Sequence, residues 1–186
     1  MITKDAALLV IDVQKGFDDP KWGRRNNPQA EANISHLLNL WRKEKMLVVH
    51  VQHCSLDLDS PLHSDAVGHP FKSEAMPTDN EFIFQKNVNS AFIGTDLESY
   101  LKDKGVRELV VAGLTTDHCI STTTRMAGNL GFSVYLISDA TATFDRQGPD
   151  GSPYLAEDIH RVHLASLHEE FCEVVTLDKI QIAPKL

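Results

Sequence analysis

The hydrophobic pattern of the chain is a series of short apolar runs separated by longer segments in which apolar residues recur at helical spacing. Runs rich in Val, Ile and Leu lie at 6–13, 46–52, 81–85, 108–112, 133–138 and 173–177. Between them, 29–45, 95–104, 117–130 and 155–170 carry apolar positions three and four residues apart, and Gly105 and Gly131 stand just past two of these segments as helix caps. Strand and helix therefore alternate, the mark of βαβ units around a parallel sheet. The expected architecture is α/β: three layers, αβα, with a six-stranded parallel sheet wound on both faces in a Rossmann-like manner.

Two stretches break the pattern. Residues 54–80 contain Pro61, Pro70 and Pro77, several acidic residues and little periodicity, so a long loop is expected there. A structureless connection of that length usually serves as a functional lid or is disordered. Residues 142–153 are rich in Gly, Pro and Asp and are expected to cover another edge of the same site. The chain shows no internal repeat and no low-complexity tract.

Composition narrows the picture. At 186 residues one core suffices, so a single domain over 1–186 is expected. Twenty-six acidic against eighteen basic residues give a net charge of -8, the wrong sign for phosphate neutralisation, so nucleic acid is not an expected partner. No stretch approaches the roughly 20 apolar residues that span a bilayer, and the N-terminal run reaches Asp12 too soon for a signal peptide. Three cysteines, Cys54, Cys119 and Cys172, form an odd set without metal-ligand spacing, which fits a reducing, cytoplasmic compartment and leaves at least one thiol free for chemistry.

In an open parallel sheet, ligands bind beyond the carboxyl ends of the strands. Asp12 lies near the end of the first run, Lys86 directly follows the third, and Gly113 to Cys119 joins the fourth to its helix. At a helix start, unpaired backbone N–H groups and the helix dipole favour a thiolate, so Cys119 is a candidate nucleophile whose pKa is expected to fall toward neutrality. The same N–H groups suit an oxyanion. Asp12, poorly solvated at the end of an apolar strand, can take the sulfur proton and return it to a leaving group, and Lys86 can balance both charges. Each residue also has a plainer reading: Cys119 as a small buried hydrophobe, Asp12 as a turn residue, Lys86 as a solvated charge. Their coincidence at strand ends points to an Asp-Lys-Cys triad.

The segments LLVIDVQKGF (8–17), HVQH (50–53), FIFQKNVNSAFIGTDLESYL (82–101), LVVAGLTTDHCISTTTRMAGNLGF (109–132) and LISDATATFD (136–145) resemble, in order, the signature blocks of isochorismatase-like cysteine hydrolases. The resemblance runs nearly end to end. It implies a six-stranded parallel sheet with helices on both faces, and it matches the family's triad to Asp12, Lys86 and Cys119. It also implies a cis peptide at Leu114–Thr115, with the N–H groups of Thr115 and Cys119 forming an oxyanion hole.

Two departures narrow the expected activity. Family members that act on isochorismate itself usually lack this cysteine, so Cys119 favours covalent chemistry: cleavage of a small amide or carbamoyl C–N bond through a thioester. The alternatives are a vinyl-ether or ester hydrolase and a non-catalytic binding member. Nicotinamidases of the family usually carry an Asp-x-His metal pair after the second strand, where this chain has Gln52-His53-Cys54-Ser55. No metal and no other cofactor is therefore expected, although His53, His63 and His69 have the right ligand type. Gln14, Phe17, His53 and His118 are candidate pocket residues. His50 is expected to face a strand interior or a neighbour, His160, His163 and His168 to take surface or interface positions on a helix, and Cys54 and Cys172 to have structural roles. Arg24, Arg25 and Arg146 either meet a substrate carboxylate or face solvent. Relatives are often dimers or tetramers, so a homo-oligomer acting on a small molecule is the expectation.

Overall fold

The two most apolar runs, around Leu8 and Val110, lie side by side at the centre of the sheet. The computed structural model describes residues 1–183. Its strands are β1 (Ala7–Ile11), β2 (Val48–His53), β3 (Phe82–Lys86), β4 (Glu108–Leu114), β5 (Ser133–Ala142), β6 (Arg146–Gln147), β7 (Pro153–Tyr154) and β8 (Glu173–Val175). Six of them form one all-parallel sheet in the order β3-β2-β1-β4-β5-β8, and β6 and β7 make a separate antiparallel hairpin. The chain winds outward from β1 in one direction and from β4 in the other. The crevice beyond β1 and β4 is thus the switch point at which such sheets bind ligands.

Helices cover both faces. The face carrying Leu9, Ile11, Val51 and Val111 packs on α2 (Leu97–Asp103), α3 (Ser121–Asn129) and α4 (Ala156–Leu167). The face carrying Leu8, Val10 and Val110 packs on α1 (Ala30–Lys43), whose Ile34, Leu37, Leu38 and Trp41 recur at helical spacing and are fully buried. Each contributes on the order of 1.5–3 kcal/mol by leaving water. Gly105 and Gly131 follow α2 and α3 with φ of +72° and +89°, the left-handed geometry of a helix C-cap. No helix among the described residues is long and apolar enough to cross a membrane.

Three local outcomes differ from the sequence pattern. The fifth run continues to Ala142 through Ser138, Asp139 and Thr141, whose polar side chains mask the extension, and its pairing with β4 shifts register between Val111 and Gly113. The third helical segment from the pattern, at 117–130, opens as a π-helical turn, Thr116–Ile120, before α3. Residues 54–80 form neither a free lid nor a disordered loop. Lys15 N–H donates to Pro70 O at 2.9 Å, Gly16 N–H to Gly68 O at 2.6 Å and Lys72 N–H to Val13 O at 3.0 Å. Lys72, itself buried, reaches Glu31 on α1 at 2.7 Å. Gly68 permits this approach, because a Cβ there would stand 2.5 Å from Gly16 Cα.

Candidate active site

β1 ends at Ile11, and Asp12 turns out of the strand with φ +54°, a left-handed conformation that Asp tolerates better than most residues. Its N–H still bonds Val51 O at 2.9 Å, which fixes the turn, and its carboxylate is fully buried. Close approach of the neighbouring strand depends on Gly113, since a Cβ there would meet Ile11 O at 2.0 Å. β4 then delivers the Leu114–Thr115 peptide, which is cis, and the π turn holding Cys119. Within that turn Thr115 O accepts the N–H groups of His118 and Ile120, on either side of the cysteine.

Lys86 arrives from β3, two strands away from β1. Its ammonium lies 2.6 Å from Asp12 Oδ2, 3.3 Å from Cys119 Sγ and 3.0 Å from His53 Nδ1. The three residues expected to carry chemistry are therefore brought together, and His53 joins them. Among the described residues Asp12 Oδ1 is buried without a hydrogen-bond partner. A carboxylate lone pair so placed is available to a nearby proton.

The electrostatics correct one expectation. Burial pushes the Cys119 thiol well up from its ordinary value, and the Asp12 carboxylate adds to this while Lys86 opposes it. The helix-start effect, expected to lower it, is outweighed because the buried sulfur has almost no water to solvate a thiolate charge. Burial works against the Lys86 ammonium, but Asp12 and then Cys119 hold its pKa above the usual lysine value. Lys86 is thus a cation with three protons to donate and three acceptors around it. Burial, then the Lys86 charge, lowers the His53 pKa, keeping the ring neutral.

A cavity of about 110 Å³ opens onto Cys119 and is lined by Phe17, Trp22, His53, Leu62, Asn89, Thr115 and His118. Phe17, Trp22 and Phe144 form one aromatic cluster with ring centroids 5.5–6.2 Å apart. Of the four candidate pocket residues, Phe17, His53 and His118 line this cavity and Gln14 does not. Its amide is fully buried and ties three segments, donating to His53 O and His69 O and accepting from His53 N–H. Trp22, Leu62 and Asn89 were not legible as pocket residues, because loops bring them there. His53 carried a signal: it is the register partner of Lys86 on the neighbouring strand.

The three arginines are each paired with carboxylates and none lines the cavity, and Arg24 is exposed to solvent. Arg24 grips Asp145 and Glu157, Arg25 grips Glu31, and Arg146 grips Asp117. Burial acts to raise the Asp117 pKa, but Arg146 and the Thr143 hydroxyl hold it down to about 2. His160 is no surface residue: its Nδ1 is 2.8 Å from Thr116 Oγ1, directly behind the π turn. His50 is buried within the sheet against Glu81 at 2.9 Å. A larger open groove of about 740 Å³ beside Arg25, Glu31 and Lys72 is lined by mutually paired charges and contains none of the converging residues.

The three loop histidines do not share a ligand cluster: His69 Nε2 lies 3.2 Å from Cys54 Sγ, and His63 Nδ1 accepts Asp65 N–H. Among the described residues the donors close enough to hold an ion are Asp12, His53 and Cys119, within 4.8 Å of one another. The Lys86 ammonium bonds to all three. This geometry has clear relatives. The Isochorismatase domain profile matches residues 6–179. The chain belongs to the isochorismatase family. It is 50% identical to the isochorismatase family protein YrdC of Bacillus subtilis (strain 168) over 94% of this chain and 93% of that one. Nicotinamidase 3 of Arabidopsis thaliana is 30% identical over 96% of this chain and 88% of its own length. An isochorismatase-family crystal structure from Chromobacterium violaceum ATCC 12472 superposes with TM-score 0.91 at 42% identity, covering 94% of this chain and 91% of that one. As a member of this family the chain is a hydrolase with the family's α/β fold.

Proposed function

We propose that this isochorismatase-family hydrolase cleaves a small amide or carbamoyl C–N bond through a thioester on Cys119. The observation that carries the reading is the placement of Cys119 Sγ at the cavity, held with Asp12 around one lysine ammonium. Asp12 Oδ1 takes the thiol proton as the sulfur attacks the carbonyl carbon, so the thiolate forms only when it is used. This suits a thiol whose resting pKa is high. The N–H groups of Thr115 and Cys119 receive the oxyanion. As the C–N bond breaks, Asp12 returns its proton to the departing nitrogen. Water then gives a proton to Asp12 and attacks the thioester, and the acid leaves as Cys119 regains its proton. Lys86 balances the charge at each stage.

The cavity supports a small, uncharged substrate. About 110 Å³ is less than the roughly 150 Å³ pocket that encloses a benzene ring, so one compact group fits. No lysine or arginine lines it among the described residues, and a buried carboxylate without a partner costs several kcal/mol. The test is a panel of small amides and ureides with ammonia detection and intact-protein mass spectrometry. The expected result is ammonia release with an acyl adduct that is absent in Cys119→Ala. Turnover that survives Cys119→Ala, Asp12→Asn and Lys86→Ala would overturn the reading. Ligand binding with no turnover across the panel would mark a binding protein.

A further inference from the structure

We infer that His53 is a positioning residue for the triad, accepting through Nδ1 the third proton of the Lys86 ammonium and thereby holding it between Asp12 and Cys119. An ammonium has three N–H groups and no lone pair, so a nitrogen 3.0 Å from Lys86 Nζ can only accept. That fixes His53 as the neutral tautomer with its proton on Nε2. Two further features hold the ring in place. Its backbone N–H and O are both taken by the buried Gln14 amide, and its strand position is in register with Lys86. With Asp12 at 2.6 Å and Cys119 at 3.3 Å, the acceptor set of Lys86 is complete. Without His53, one ammonium proton in a buried site lacks a partner and the lysine is free to swing from the sulfur.

The same contact gives the site an acid limit. Protonation at Nδ1 turns the acceptor into a donor facing a cation. The ionisable groups around His53 are Lys86 from β3, Asp12 from the turn after β1, His69 from the 54–80 segment and Cys119 from the π turn. Asp12 is the one carboxylate among them, and it is already engaged by Lys86. Protonated His53 therefore repels Lys86 from Cys119. Burial and Lys86 both depress the His53 pKa, so the effect falls below the usual histidine range.

The inference takes its meaning from the proposed thiol chemistry, but its test needs no substrate. Cys119 alkylation by iodoacetamide is measured by mass spectrometry from about pH 5 to about pH 9, a span that brackets the ordinary histidine value. His53→Leu, which removes the acceptor, is expected to slow alkylation about tenfold, the scale of one hydrogen bond to a charged group. In His53→Asn, Oδ1 stands where Nδ1 was and accepts without titrating. It is expected to recover most of that loss and to lack the steep acid limb of the wild type. A His53→Leu protein that alkylates like the wild type, or a His53→Asn protein that keeps the wild-type acid limb, overturns the inference. If His53→Leu does not fold, the His53→Asn profile alone decides. A panel of amides that all fail to turn over would count against the proposed reaction and leave this result standing.

Discussion

Replacing Lys86 with methionine tests the buried charge at the proposed triad, because methionine keeps an unbranched side chain and removes the charge. In the native protein Lys86 and Asp12 are both without solvent exposure and are joined at 2.6 Å. Asp12 Oδ1 already lacks a partner, so Lys86→Met leaves both carboxylate oxygens in the interior with no side-chain cation. Breaking a buried pair from one side costs about 3–5 kcal/mol, against a total stability of about 5–15 kcal/mol for a typical domain. In urea, at a slope of about 2 kcal/mol per molar, the midpoint should fall by roughly 2 M. Adding Asp12→Asn should recover most of the loss, since no buried charge then remains, while alkylation of Cys119 stays slow in both variants. The pH must be near neutral. The Lys86 pKa is raised on folding, so its contribution is whole below the unfolded value of about 10.4 and is lost as pH rises through the folded one. A Lys86→Met protein within about 1 kcal/mol of wild type would refute the reasoning. So would a double variant no more stable than the single one.

Asp117, held down to about 2 against an ordinary 3.8, contributes about 2 kcal/mol that is present above the ordinary value and lost as pH falls toward 2. Unfolding free energies from urea at about pH 5 and about pH 2 should differ by about 2 kcal/mol more in the wild type than in Asp117→Asn, the variant keeping the share of Glu81 and the other paired carboxylates. Gly113→Ala puts a Cβ 2.0 Å from Ile11 O at φ +133°, so soluble yield should collapse. Recovery of a native-like midpoint would mean that β1 and β4 can separate. Trp22→Ala opens one wall of the cavity, and KM for a small primary amide should rise about tenfold with a smaller change in kcat, a split read from steady-state ammonia release.

The strands and helices were legible because burial on both faces leaves unbroken apolar runs, and Gly105 and Gly131 marked helix ends by a conformation other residues adopt at a cost. The placement of Asp12, Lys86 and Cys119 along one rim of the sheet was legible from strand ends, although their contacts were not. What stayed hidden depends on contacts between segments distant in sequence. Trp22 reaches the cavity from a short 3-10 turn whose indole N–H is anchored on Gly16 O at 2.8 Å. Leu62 reaches it from the segment that Gly68, Pro70 and Lys72 pin down. Gln14 looked like a pocket residue by its nearness to Asp12, but the left-handed turn at Asp12 redirects the chain and sends the amide inward. The pKa of Cys119 runs opposite to the sequence expectation for a related reason: position in a helix is local, whereas burial is decided by everything packed around it.

The route by which Lys86 reaches the site explains why His53 belongs with it. Parallel strands lie about 4.8 Å apart, so β3 stands roughly 10 Å from β1 with β2 between them. A short cationic side chain on β3 could not reach Asp12, but the four-carbon stem of a lysine can. To do so it must cross the end of β2. The residue there on the same face is fixed by register: Val49 and Val51 pack on the same side as Phe84, and two residues further along His53 pairs with Lys86. Whatever occupies position 53 therefore lies beneath the lysine as it crosses. An apolar residue would leave a donor unmet, and a carboxylate would add a second anion competing with Asp12 for the ammonium. A neutral imidazole accepts one proton without adding a negative charge beside Asp12, whose Oδ1 stays without a partner among the described residues, as the proposed proton transfer from Cys119 requires.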